Sequence, residues 1–155
     1  MYVLRLPLIG LESIDVLGQL RLQHTAVLLV RRDADRRLVF DVVPERATSP
    51  ATILALALGG EVGALKRTRS FSARTPSVPE GPFRTFAGVT RCGGDAFAVA
   101  AEFQSEWPDT LGLFGETSCR HHTAGLLAAL LREDAGETWR RFGLGRYAPG
   151  IAFPK

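Results

Sequence analysis

Two apolar runs on either side of a charged turn constrain the fold of this 155-residue chain more than any other feature. Gln23-His24-Thr25-Ala26-Val27-Leu28-Leu29-Val30 is almost continuously apolar or β-branched, the pattern of a strand covered on both faces. Arg31 to Arg37 forms a polar turn, and Leu38-Val39-Phe40-Asp41-Val42-Val43 returns as a second apolar strand stopped by Pro44. The expected product is an antiparallel hairpin. Residues near its open end lie side by side, so the turn itself brings His24 toward Asp41.

The rest of the chain supplies further strands and helices in alternation. Tyr2 to Ile9 is β-rich, and Pro7 marks it as a border strand. Ser49-Pro50 opens a helix through Leu58 that Gly59-Gly60 closes. Glu61–Ala73 and Phe83–Val89 read as strands, separated by a proline-rich loop from Arg74 to Pro82. Asp95 caps a helix that runs to about Trp107, where Pro108 ends it, and a loop continues to Glu116. Thr117-Ser118 then caps a central core helix from Cys119 to Arg132, with Ala124, Leu127, Ala128 and Leu131 at helical spacing. Beyond Gly136 the chain reads as a glycine- and proline-rich tail with a short turn around Trp139. These elements predict one α+β domain over residues 1–155, a mainly antiparallel sheet packed against helices.

Charge and cysteine usage narrow the functional classes. The formal charge of +3 comes almost entirely from arginines scattered in pairs, not from a basic stripe. The nearest approach to a stripe, Lys66, Arg67, Arg69 and Arg74 around Phe71, reads as a solvated edge strand, so no nucleic-acid partner is expected. No apolar run reaches the roughly 20 residues that cross a bilayer, and Met1–Gly10 lacks the pattern of a secretory signal. Two cysteines make no disulfide framework, which points to a soluble protein of a reducing, intracellular compartment.

No cofactor is expected. Gly93-Gly94 matches neither the Gly-rich lysine loop nor the dinucleotide fingerprint. A structural zinc wants four ligands in paired spacings, and beside Cys119, His121 and His122 only Cys92 and His24 remain, so no metal is expected. His122 reads as an exposed residue of the first helical turn, and Cys92 as a loop cysteine without a role.

Cys119 is the candidate for chemistry. At the first turn of a helix, unsatisfied backbone N–H groups and the helix dipole favour thiolate over thiol. A thiolate needs a base or ion-pair partner, which His24 supplies from the sheet, and Asp41 is placed to accept the other ring N–H of that imidazole. The competing reading makes Cys119 an inert core residue and pairs Asp41 with one of Arg31, Arg32, Arg36 or Arg37.

A strand beginning His24-Thr25-Ala26-Val27-Leu28-Leu29-Val30, followed much later by Ser118-Cys119-Arg120-His121 at a helix start, resembles the circularly permuted papain-like superfamily. Its members include lecithin-retinol acyltransferase-like and desumoylating isopeptidase-like proteins. The resemblance covers roughly residues 20 to 131. The chain has the order His before Cys and the Cys-x-His pattern, with Ser118 where asparagine is usual and His122-Thr123 where an aromatic is usual. The resemblance implies a permuted papain-like fold with Cys119 as nucleophile, His24 as general base and then acid, and Asp41 as third member. It implies an enzyme that cleaves an amide, isopeptide or ester bond of a protein, peptide or acyl substrate through a thioester. The alternative is a non-catalytic binding or scaffold domain that keeps the fold.

Overall fold

The computed structural model describes residues 1–7, 23–31, 36–71 and 84–145. Its strands are β1 (Tyr2–Pro7), β2 (Gln23–Arg31), β3 (Arg36–Pro44), β4 (Glu61–Phe71), β5 (Arg84–Phe86) and β6 (Thr110–Gly112). They form one sheet in the order β5-β1-β2-β3-β4-β6, with every neighbouring pair antiparallel. The helices are α1 (Pro50–Ala57), α2 (Ala96–Glu106), α3 (Cys119–Leu131) and α4 (Ala135–Arg141). The architecture is α+β, and no helix among the described residues is long and apolar enough to cross a membrane.

Side-chain alternation along the strands separates two faces. Val3, Val27, Leu29, Leu38 and Phe40 point to one face and pack against Phe97 and Ala100 of α2 and Ala124, Leu126, Leu127, Leu130 and Leu131 of α3. Leu4, Ala26, Leu28 and Val39, of the opposite parity, form a second cluster on the other face. Burial on both sides explains why β2 reads as an unbroken apolar run.

The hairpin pairs from Arg31↔Arg36 to Val27↔Phe40 and stops there, although β2 continues back to Gln23 and β3 on to Pro44. The strands part at the end that carries His24 and Asp41. Beyond that end β3 keeps its pairing with β4 as far as Pro44↔Ala64, and β2 keeps its pairing with β1 as far as Gln23↔Pro7.

Several expectations need correction. β1 is not a border strand, because β5 pairs with it from Tyr2 to Leu4. Pro7 lies past the end of that short strand, where the missing N–H breaks no ladder on that side. The stretch before Glu116, expected as loop, contains β6, a three-residue strand that pairs with Glu61–Gly63. β4 is therefore bordered by β6 at one end only. The chain after Asp134 is not a plain tail: Asp134 accepts the Glu137 N–H at 3.0 Å and caps α4. The loop expected at 74–82 and the end of the expected tail, 146–155, lie outside the described residues.

Candidate active site

The site begins with the cap of α3. Ser118 has extended backbone and its hydroxyl accepts the His121 N–H at 3.4 Å, which fixes Cys119 as the first residue of the helix. The helix is held on the strand by a short hydroxyl chain. Thr123 Oγ1 donates to Thr25 Oγ1 at 3.0 Å, and Thr25 Oγ1 donates to the Cys119 carbonyl oxygen at 3.1 Å. Both threonines are buried, so the chain sets the height of Cys119 against β2.

The structure brings the three expected residues together. The His24 side chain lies close enough to Cys119 to lower the pKa of its thiol, and His24 Nε2 lies 3.2 Å from Asp41 Oδ2. All three are buried, His24 at 3%, Asp41 at 0% and Cys119 at 8% exposure. His24 has the parity of Ala26 and Leu28, opposite to the residues that pack on α2 and α3, and it approaches Cys119 where β2 and β3 part.

The arginines that hold Asp41 are Arg67 and Arg69, which are not among those that the competing reading supposed. Besides His24, its side-chain partners among the described residues come from β4: Arg67 donates from Nε to Oδ1 at 3.1 Å and from Nη2 to Oδ2 at 2.7 Å, and Arg69 Nη2 donates to Oδ2 at 2.9 Å. The register explains this. Asp41 is the direct cross-strand partner of Arg67, and Arg69, two residues on, falls on the same face. Lys66 has the other parity and reaches the helix side, pairing with Asp109 at 2.8 Å and donating to the Ser105 carbonyl. Of the basic residues expected to form a solvated edge, Lys66, Arg67 and Arg69 are thus tied to acids, and Arg74 lies outside the described residues. Gln104 of α2 secures Asp41 from behind, donating from Nε2 to its backbone oxygen at 2.9 Å.

Electrostatics favour an ion pair. Burial opposes ionisation of Cys119, but the hydrogen bond and charge of His24, a backbone hydrogen bond from Thr25 and the charge of Arg120 together bring its pKa below the ordinary thiol value. Burial alone would push His24 down; its hydrogen bonds to Asp41 and Cys119 and their negative charges outweigh it and raise the imidazole to about 9. Burial likewise opposes the Asp41 carboxylate, yet hydrogen bonds from His24 and Arg67 and the charges of His24 and Arg69 hold it well below the usual carboxylate range.

His122 departs most from expectation. It is fully buried, not exposed, because one turn of helix carries it inward between α2 and α3. Its ring packs against Phe103, with centroids 5.5 Å apart, and meets Trp107 edge-on at 5.1 Å. Burial, opposed by the charge of Asp41 and assisted by that of His24, pushes its pKa down to about 3, so it is a neutral imidazole in an aromatic cage. His121 takes the outer side, 2.8 Å from Ser118 Oγ through Nδ1 and stacked on Trp139 at 4.3 Å.

Cys92 is buried in the core, and its carbonyl accepts Arg132 Nη2 at 2.8 Å. Both cysteines are free thiols. Among the described residues no group of three His, Cys, Asp or Glu side chains is arranged to hold a metal ion. In comparisons with known proteins, no family model, curated protein or solved structure matches the chain.

Proposed function

We propose that this chain is a cysteine-dependent hydrolase or acyltransferase of the permuted papain-like type, cleaving an amide, isopeptide or ester bond. The observation that supports it most is a thiol at a helix start whose pKa is lowered by a neighbouring buried imidazole, which itself lies 3.2 Å from a carboxylate. An inert core cysteine needs neither partner. The order of the residues in the chain and the antiparallel sheet packed on helices agree with the resemblance that suggested the fold.

In the first step the Cys119 thiolate attacks the acyl carbonyl carbon, forming a C–S bond as the carbonyl π electrons move to oxygen. The Cys119 N–H is the natural donor to that oxyanion, since the cap hydroxyl is spent on the His121 N–H. Collapse of the intermediate breaks the bond to the leaving group, which takes the proton from imidazolium His24. A thioester and a neutral His24 remain. His24 then removes a proton from water, or from a hydroxyl or amine acceptor, which attacks the thioester. Thiolate leaves, and the imidazolium–thiolate pair is restored. Asp41, kept ionised by Arg67 and Arg69, holds the ring in position and stabilises its charge in both halves. The chemistry requires reduced Cys119, which fits a reducing intracellular compartment.

Alkylation by iodoacetamide, followed by intact mass across pH, tests the reading. Cys119 is expected to react well below the free-thiol value of roughly 8.5 and to lose that advantage in His24→Ala, with Cys92 as internal control. If Cys119 reacts no faster than Cys92 in either protein, the chain is a binding or scaffold domain.

A further inference from the structure

Four polar atoms at one junction of the core have no hydrogen-bond partner among the described residues: Nδ1 and Nε2 of His122, Oε1 of Gln104 and Nε1 of Trp107. His122 is 0% and Gln104 6% exposed, and the Trp107 nitrogen is shielded from solvent although its ring is half-buried. Buried polar groups are nearly always paired, so four at one junction point to a partner that is not a side chain. Gln104 and Trp107 stand one turn apart at the end of α2, and Trp107 meets the His122 ring edge-on at 5.1 Å. Asp41 is close to both. Its carbonyl accepts Gln104 Nε2 at 2.9 Å, and its charge reaches the His122 ring.

The four atoms match in kind. A neutral imidazole has one N–H and one lone-pair nitrogen, so His122 offers a donor and an acceptor; the Trp107 indole adds a donor and the Gln104 carbonyl oxygen an acceptor. Two donors and two acceptors are the complement of a water molecule, and internal waters typically make about three bonds to buried groups that lack another partner.

Gln104 connects this junction to the candidate dyad. Its amide nitrogen bridges two strands, donating to the Asp41 carbonyl at 2.9 Å and to the Arg67 carbonyl at 3.4 Å. Asp41 and Arg67 are direct cross-strand partners, so one amide clamps the backbone from which the acid and its guanidinium project. Turned through half a circle, the amide would set oxygen against both carbonyl oxygens. A donor at Oε1 holds it the right way round.

We propose that His122, Gln104 and Trp107 bind one ordered water molecule between α2, α3 and the sheet, and that this water orients the Gln104 amide as a positioning group for Asp41 and His24. The bearing of that positioning on catalysis rests on the thiol-acyl reading of Cys119, whereas the water site does not.

The first test needs no variant. In the 15N-labelled protein, paired NOE and ROE spectra taken from the water signal report on the indole N–H groups, and the chain has only two tryptophans, so Trp139 serves as reference. Contact with resident water changes sign between the two experiments, and proton exchange does not. Trp107 is expected to show the contact, and His122→Phe, which deletes one donor and one acceptor, is expected to abolish it. No contact at Trp107 in the unmodified protein would leave its N–H on the face of the His122 ring and overturn the water site. A contact undiminished in His122→Phe would overturn its sharing by His122. The positioning role is read from the His24 pKa, about 9, followed by NMR of the ring. Gln104→Met keeps the volume of the side chain and should lower that pKa by about one pH unit, the equivalent of one hydrogen bond. His122→Phe, which leaves the amide without its orienting water, should move it in the same direction, so the test survives if Gln104→Met does not fold. A His24 titration unchanged in both variants would make Gln104 a purely structural residue and overturn its positioning role. None of these readouts involves acyl transfer, so an unreactive Cys119 would overturn the thiol reading and leave the water site standing.

Discussion

Three donors converge on Asp41 Oδ2, from His24, Arg67 and Arg69, at 3.2, 2.7 and 2.9 Å. Replacing this carboxylate by the isosteric amide keeps its shape and removes its charge. Asp41→Asn is therefore expected to lower the His24 pKa from about 9 and to leave two guanidiniums without their counter-charge. Urea unfolding at neutral pH should report a loss of about 3 kcal/mol, the usual cost of breaking one side of a buried ion pair. The alkaline limb of thiol-dependent acylation should fall with His24, since neutral imidazole cannot protonate the leaving group. A variant that unfolds at the wild-type urea midpoint and keeps its alkaline limb would mean that Asp41 neither supports the fold nor tunes His24. The His24–Asp41 proximity was legible from the hairpin. The arginine partners were not, because they depend on the β3–β4 register, which is set by the intervening helix and its turns. The alternation Leu65-Lys66-Arg67-Thr68-Arg69 held half the answer, placing Arg67 and Arg69 on one face and Lys66 on the other.

At the level of elements, α3 carries the site and its first turn is fixed by the Ser118 cap. Ser118→Ala removes the cap hydroxyl and should cost about 1 kcal/mol in urea unfolding. It should also loosen the first turn, raising the Cys119 pKa in the alkylation profile. Gly125, in the middle of the same helix, gives the opposite of the propensity rule. A Cβ there would come within 2.8 Å of the Phe103 ring, so Gly125→Ala should destabilise by about 1–3 kcal/mol through overpacking, although alanine is the better helix former. A gain of stability would show that α2 and α3 can separate to admit the methyl group. The caps at Ser118 and Asp95 and the proline start of α1 are local signals and were readable from sequence. β6 was not readable, since a strand of three residues has no periodicity of its own and exists by pairing with Glu61–Gly63. The inward turn of His122 was hidden for a related reason: its cage is built from Phe103 and Trp107 on another helix, and a polar side chain gives no hint of such neighbours.

Across the whole molecule, two histidines make stability depend on pH in opposite directions. His122 has a folded pKa of about 3 against 6.5 unfolded, so its contribution is full above pH 6.5 and is lost as pH falls toward 3. His24 is raised to about 9 from 6.5, so its contribution is full below pH 6.5 and is lost as pH rises through 9. The acid limb is expected to amount to a few kcal/mol between pH 6.5 and 3. His122→Phe, which keeps a ring in the aromatic cage, should flatten that limb, and unfolding midpoints measured across pH decide it. An unchanged acid limb in His122→Phe would assign it to other groups. The thiol, finally, has its activating partners at the far end of the fold's connectivity: the Thr25–Cys119 contact joins residues 94 positions apart. No local segment of nascent chain can reproduce it, so an activated sulfur exists only after α3 has docked on the hairpin. Cys119 is thus a built-in clock for tertiary assembly. In a refolding experiment quenched with an alkylating agent at mildly acidic pH, labelling at Cys119 should appear in step with docking and behind hairpin formation, timing the most non-local contact of the site without an added probe.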